Sequence, residues 1–274
     1  MAFAQFAPPP VWQSSMGDWQ VSILGAEGLR LNGPTSFHLD EGPHFAHLNI
    51  YRVLADGAQL EVVREREAAL AGEAGDVVVH WEPSAACQAH MSVRYRVVEE
   101  EMAVDATFAV RAEKAYGKFE LFIANYFTPY YAPSFALRDS RAHPELEVVW
   151  YRTEWNRGPV DTAWPRDAPA RAVFQDGRWL TGYALNWEFG PDYALPLMTQ
   201  RHQYGHAVVL MAQPEDCIGL SGFNGYHNSQ YLHLFGRDLE VGESLSATVR
   251  LAVLTDTDDL DERSLELYGK WRQV

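Results

Sequence analysis

From Trp19 to Thr255 the chain is written almost entirely in short alternating runs, and this period-two pattern constrains its fold more than any other feature. "WQVSIL" (19–24), "AHLNIYRVL" (46–54), "AQLEVVRERE" (58–67), "DVVVHWEP" (76–83) and "HMSVRYRVVEE" (90–100) each end at Gly, Asp, Pro or Glu-rich turns. In "EMAVDATFAVRAE" (101–113), Met102, Val104, Ala106, Phe108 and Val110 fall on one face, as in a half-buried strand. "KFELFIANYF" (118–127) is apolar on both faces and is expected as a central strand covered on both sides. Strands resume with "RWLTGYAL" (178–185), "ALPLMTQRHQ" (194–203), "HAVVLMAQ" (206–213), "CIGLSGF" (217–223), "QYLHLF" (230–235) and "SLSATVRLAVLT" (244–255). Between them, 128–170 is rich in Pro, Arg and aromatics, with "LEVVWYR" its one clear strand; such segments serve as lids or binding loops. Only the tail reads as helix, with acidic residues at its start and Lys270 and Arg272 at its end. About fifteen antiparallel strands do not fit one flat sheet, so the expectation is an all-β, two-sheet stack with a short C-terminal helix at 259–274. Residues 1–18, stiffened by Pro8, Pro9 and Pro10, are expected as an extended N-terminal arm.

All-β domains of 274 residues occur as single units, and neither a repeat nor a linker composition interrupts this one, so 1–274 is read as one domain. The 47% apolar content suffices for a sizeable core. Thirteen Tyr, thirteen Phe and nine Trp belong in part to an ordinary β-sheet core, and amphipathic rings also suit flat hydroxylated ligands. A formal charge of −15 argues against nucleic acid and against an anionic membrane surface. Cys87 and Cys217 lie far apart without CxxC spacing and read as two free buried thiols. "MAFAQFAPPP" lacks the basic and apolar regions of a signal peptide, and no apolar run reaches spanning length, so a cytoplasmic protein is expected. Neither a GxxxxGK[ST] loop nor a strand-linked GxGxxG is present.

The pair "VRYRVVEEEMAVDATFAV", then "FELFIANYF", then the closing "LHLFGRDLEVGESLSATVRLAVL" resembles the galactose-mutarotase-like β-supersandwich over about residues 19–255. The resemblance implies a sugar held in the concave face of one sheet, as in aldose 1-epimerases, phosphosugar-binding relatives, polysaccharide lyases and glycoside hydrolases. Where the epimerases read His-x-Tyr-Phe, with the histidine as general acid, this chain reads Ala124-Asn125-Tyr126-Phe127. Mutarotation needs a paired acid and base, so plain aldose 1-epimerase activity recedes unless a substitute acid acts.

The remaining candidates come from the residues. By alternation, Asn125 or Tyr126 faces the ligand side, and Tyr126 is a candidate proton carrier or an edge-packing phenol. Tyr130 and Tyr131 follow on the loop and can stack on sugar. In "QRHQYGH" the turn Tyr204-Gly205 is expected to bring His202 and His206 opposite each other, beside Arg201. "NGYHNS" adds Asn224, Tyr226, His227 and Asn228, a polar rim richer than turn chemistry demands. His202, His206 and His227 are also a conceivable divalent-metal set, but HxxxH is diagnostic on a helix and not on a hairpin, so no metal or other cofactor is expected. Trp155 with Arg157, and Trp187 with Glu188, have the composition of sugar subsites or of ordinary packing. Glu154 and Glu188 are the carboxylates to test as base or nucleophile. His38, His44 and His47 with Asp40 and Glu41 read as a turn carrying scattered histidines. Arg64 and Arg66, read on a strand, share one face, as an exposed charged ladder or an anion-binding wall. "GRDLEVGE", Gly236 to Gly242, reads as a hairpin turn.

The expected cleft is therefore substrate-binding through Asn125, Tyr130, Trp155, Arg157, Arg201, His206, Asn224 and Tyr226. His202, His227, Tyr126 and Glu188 are its catalytic candidates. The chemistry expected there is acid–base work at a sugar carbon, β-elimination or hydrolysis, by a lyase or glycoside hydrolase. The rival is a non-catalytic carbohydrate-binding module. The expected partner in either case is a small-molecule carbohydrate.

Overall fold

A computed structural model describes residues 12–16, 19–24, 33–35, 47–66, 68–73, 76–138, 147–152, 161–179, 188–224 and 228–273. They form a small sheet and two large ones. The small sheet is the antiparallel β1 (Trp12–Met16), β2 (Trp19–Leu24) and β3 (Gly33–Thr35). The remaining strands are β4 (Asn49–Ala55), β5 (Ala58–Val62), β6 (Ala69–Glu73), β7 (Asp76–Trp81), β8 (Ala89–Val98), β9 (Ala103–Ala112), β10 (Tyr116–Phe127), β11 (Tyr131–Leu137), β12 (Val149–Arg152) and β13 (Thr162–Pro165). After helix α1 (Ala168–Phe174) come β14 (Glu188–Phe189), β15 (Tyr193–His202), β16 (Ala207–Ala212), β17 (Cys217–Asn224), β18 (Asn228–Leu239) and β19 (Ser244–Leu254), and helix α2 (Leu260–Trp271) closes the chain. Seven strands are ordered β14-β13-β17-β18-β10-β4-β5 and nine are ordered β12-β11-β15-β16-β19-β9-β8-β7-β6. Every pairing is antiparallel except β13 with β14.

Alternation fixes which side chains face the other sheet. In β9, Val104, Ala106, Phe108 and Val110 enter the core between the sheets, as their spacing requires. From the seven-stranded sheet Phe119, Leu121, Ile123 and Phe127 meet them, with Leu220, Leu232 and Leu234. The intervening residues of β10, Phe122, Ala124 and Tyr126, are buried on the opposite face. The strand is thus covered on both sides, as its continuous apolar run predicts. On the far side of the nine-stranded sheet, Tyr268 and Trp271 of α2 pack on Ala136, Leu197, Val209, Met211 and Ala252. Cys87 and Cys217 are buried free thiols.

Several sequence expectations need correction. Within the N-terminal arm, Trp12–Met16 is a strand paired with β2 along its length, where a lone arm is expected. "AQLEVVRERE" stops being a strand at Val62 and turns through a single 3-10 turn, Val63–Glu65. Arg64 and Arg66 consequently part company: Arg66 pairs with Glu61 at 3.0 Å and binds the carbonyl of Glu82, while Arg64 reaches Tyr126. The middle segment holds β11, β13 and α1 beside the expected strand, so the tail is not the only helix. Residues 178–179 form a turn, and the rest of "RWLTGYAL" lies outside the described residues. Gly236 is not in the turn of "GRDLEVGE"; it sits inside β18 at φ +63, and the reversal comes at Glu240–Glu243 with Gly242 at φ +81.

Candidate functional site

The outer face of the seven-stranded sheet carries a second buried cluster, in which polar and aromatic side chains stand among apolar ones. β10 presents Glu120, Phe122, Ala124 and Tyr126 there, and cross-strand register places His233, Tyr231 and Ser229 of β18 opposite the last three. Beyond β18, Ser221 pairs with Tyr231. Phe122 stacks on Tyr231 with centroids 4.6 Å apart at 24°, and Tyr126 meets Tyr231 edge-on at 6.4 Å and 88°. Tyr51, brought onto this face by an irregularity of register between β4 and β10, adds a third phenol 5.7 Å from Phe122 and 6.4 Å from Tyr126. Ala124 lies within this patch, so the position that resembles the epimerase acid faces the right side of the sheet with a methyl group alone.

Two guanidinium groups cover the phenols. The Arg64 carbon lies 3.9 Å and the Arg52 carbon 4.4 Å from the centroid of Tyr51. Arg64 donates to the Tyr126 hydroxyl at 2.7 Å, and Arg52 donates to the Tyr51 hydroxyl at 2.9 Å. Among the described residues, the partners of Arg64 are phenols and not carboxylates. In a chain of charge −15, this leaves a guanidinium able to take an anion. Burial raises the Tyr126 pKa well above the ordinary tyrosine value, against the opposing pull of Arg64 and Arg52. Tyr231 is raised as well, again by burial before anything else. Both phenols stay protonated at neutral pH and serve as neutral donors.

Deeper on the same face runs a row of polar groups with no solvent exposure. The hydroxyl of Ser221 lies 2.7 Å from Nε2 of His233, and Nδ1 of His233 lies 2.7 Å from Glu120. The other oxygen of Glu120 accepts from Arg178 at 2.9 Å, and Arg178 is also held by Asp176 at 2.7 Å. Burial lowers the His233 pKa despite the attraction of Glu120, so the ring is neutral near pH 7. The consistent assignment has Nδ1–H donating to Glu120 and Nε2 accepting from Ser221. Order and spacing match a nucleophile, base and acid. Phe174 of α1 lies 4.5 Å, Phe122 4.8 Å and Trp179 5.6 Å from the imidazole, and these rings seal the row. What it does here is hold the 176–179 segment onto the sheet. The seat of α1 depends on Gly219, where a Cβ would come within 2.5 Å of Phe174.

The sequence-predicted residues divide between two places. Tyr126 lies on the outer face just described. Asn125 points the other way: it accepts from the Leu48 amide at 2.8 Å and donates to the Gln230 carbonyl at 3.1 Å, inside the sandwich. Its assignment to substrate is corrected by that burial, and alternation puts Tyr126 on the outer face.

At the end of the molecule where β10 passes into β11, Tyr130, Arg201, His202 and His206 do come together. The turn carrying Tyr204 and Gly205 forms as expected, with the His202 amide donating to His206 at 2.8 Å. The two imidazoles stack 4.2 Å apart at 19°, and Tyr131 contacts both, its hydroxyl 3.2 Å from His206 Nε2. Beside them is a cavity of about 480 Å³ lined by Ala132, Arg201, His202, Gln203 and Gly205. Tyr130 (57% exposed) and Tyr204 (77% exposed) both pack against the His202 ring.

Glu188 is exposed on the edge strand β14. Asn224 ends β17 opposite Asn228, which donates to the Tyr131 carbonyl. His47 is buried against Phe127 at 4.6 Å, away from any loop rim. Glu154, Trp155, Arg157, Trp187, Tyr226 and His227, with His38, Asp40, Glu41 and His44, lie outside the described residues. Among the described residues no group of three or more His, Cys, Asp or Glu is placed to hold a metal ion, and no helix is long and apolar enough to cross a membrane.

Sequence reasoning passed over Tyr51, Arg52, Tyr231, Ser221, His233, Glu120 and Arg178. A usable signal existed for two of them. Glu120 and His233 stand in strands apolar on both faces, and a charged group in such a strand must find a buried partner, here Arg178.

No protein-family model matches the chain, and no curated protein resembles it in sequence. Solved structures do. The Slr1438 protein of Synechocystis sp. PCC 6803 superposes with a TM-score of 0.56 at 10% identity, over 93% of this chain and 100% of that one. The α-N-acetylgalactosaminidase NagBb of Bifidobacterium bifidum, in complex with GalNAc, superposes with a TM-score of 0.56 at 13% identity, over 96% of this chain. This chain spans only 39% of that enzyme. The shared architecture is the galactose-mutarotase-like β-supersandwich.

Proposed function

We propose that the chain binds a sugar bearing an acidic group on the outer face of its seven-stranded sheet. The observation that carries this reading is Arg64, a guanidinium packed on Tyr51 and bonded to Tyr126, with phenols and not carboxylates as its partners among the described residues. A carboxylate or phosphate of the ligand would complete it by paired hydrogen bonds. The half-buried Tyr51 and Arg64 would meet the ligand, with Tyr126 and Tyr231 buried beneath them as their support. The galactosaminidase among the structural neighbours adds support for a carbohydrate.

A catalytic version has one specific observation in its favour. The buried, Arg64-bonded Tyr126 keeps its proton at neutral pH, as a general acid for β-elimination or hydrolysis must. Glu188, His202 and His227 are the further proton carriers to vary, and Ala124 speaks for binding without turnover.

The test is isothermal titration of the purified protein with galacturonate, glucuronate and glucose 6-phosphate, beside the neutral sugars. An acidic sugar should bind, and Arg64→Gln should weaken it by about 2 kcal/mol, roughly thirtyfold, with no loss of melting temperature. Equal binding of neutral and acidic sugars, or an unaffected Arg64→Gln variant, would overturn the reading. Ultraviolet absorbance of an unsaturated product from a polyuronate, formed as the C4-linked unit leaves and abolished by Tyr126→Phe, would move the protein from binding module to lyase.

A further inference from the structure

The geometry points to a second sugar subsite in the cavity beside the Tyr204-Gly205 turn, which makes the ligand an oligosaccharide in place of a single sugar. The inference rests on the carbohydrate reading above and extends it to a different surface.

Three observations carry it. Among the described residues Tyr204 and Tyr130 belong to the few large apolar side chains left exposed, at 77% and 57%, and they stand on two different loops. Both rings are braced against one imidazole, His202, at 5.1 Å and 6.3 Å. The loops are tied together by the Gln203 amide donating to the Tyr130 carbonyl at 3.1 Å. Braced, solvent-facing phenols beside an open cavity of about 480 Å³ are arranged to receive the apolar face of a pyranose. Arg201 and Gln203 on the cavity wall supply donors for its hydroxyl groups.

Tyr126 ends the Arg64 site and Tyr130 begins this one, only four residues later. A fully extended chain puts their Cα atoms at most about 14 Å apart. Between them Phe127 turns into the core between the sheets, its ring 5.2 Å from Tyr131, which in turn packs on His202 at 4.6 Å. A trisaccharide reaches across any separation up to that limit. An acidic unit held by Arg64 would place its neighbours toward Tyr130 and Tyr204.

The experiment titrates galacturonate, digalacturonate and trigalacturonate, and the glucuronate equivalents, into the wild type, a Tyr130→Ala/Tyr204→Ala double variant, and Gly205→Asn. Gly205 has φ +89 and open space where a Cβ would go, so asparagine, which tolerates the left-handed region, narrows the cavity without removing a ring. In the wild type, affinity should rise at least about tenfold from monomer to trimer, as two linked contacts require. Both variants should bind the monomer as the wild type does and lose the gain with length. An undiminished gain in both variants, or equal affinity at every length in the wild type, would overturn the second subsite while leaving the Arg64 site standing. Failure of every uronate at every length in the wild type would instead remove the acidic-sugar reading, and this inference with it.

Discussion

His47 shows what a single buried imidazole does to the pH dependence of the whole protein. Burial lowers its pKa from 6.5 to about 3, so the native state refuses a proton that the unfolded chain accepts. Its contribution is complete above pH 6.5 and drains away as pH falls toward 3, by on the order of 4 kcal/mol in total. His233, also lowered by burial, acts in the same direction. His47→Phe, which keeps a ring against Phe127, should flatten the stability profile between pH 6.5 and pH 4; urea unfolding across that range measures it. A profile as steep as that of the wild type would place the acid sensitivity elsewhere. Single residues were also the hardest scale to read from sequence. Tyr126 was legible because alternation offered only two choices at the end of β10. The place of Arg64 was not legible, because the 3-10 turn that separates it from Arg66 leaves no mark in "VVRERE". Tyr51 reaches the site through an irregular register, which is a property of two strands and not of either sequence.

At the scale of elements, the long alternating strands were legible because burying one face of a strand dictates period two. The misses have local causes. Pro133 hides β11, since proline is a poor guest in a paired strand. Its missing donor costs nothing here, because β12 pairs only from Ser134 onward. Helix α1 has seven residues, too few for a period of 3.6 to register, although Asp167 capping the Ala170 amide at 2.8 Å and a proline in the first turn are ordinary start signals. That helix sits on β17 only because position 219 has no side chain. Gly219→Ala would drive a methyl to 2.5 Å from Phe174 and 3.3 Å from the carbonyl of Trp164. The expected cost is about 2 kcal/mol of overpacking, read by denaturant unfolding. Tryptophan fluorescence should shift with it as α1 lifts from the sheet. An alanine variant as stable as the wild type would show that α1 is free to slide.

The molecule as a whole joins its two large sheets through one core, to which strands from β4 to β19 contribute. The supersandwich was legible at this scale because so many short antiparallel strands have few other ways to be buried. The location of its polar row was not, since Glu120, Ser221, His233 and Arg178 come from four separated segments. That row has a kinetic consequence. Its serine is aligned for attack but closed off by Phe122, Phe174 and Trp179, so it becomes reactive only while the aromatic cover is lifted and the hydrogen bonds beneath persist. A fluorophosphonate reagent would then register how often the native protein breathes at this one spot, much as amide exchange does for the backbone. The folded protein should be modified at Ser221 slowly if at all, with no labelling of Ser221→Ala. Rapid stoichiometric labelling in mass spectra would mean that the cover stands open most of the time, and the sealed row would have to be redrawn as a working site. A side chain placed to hold a roof in place thus doubles as a clock for the roof's own motion.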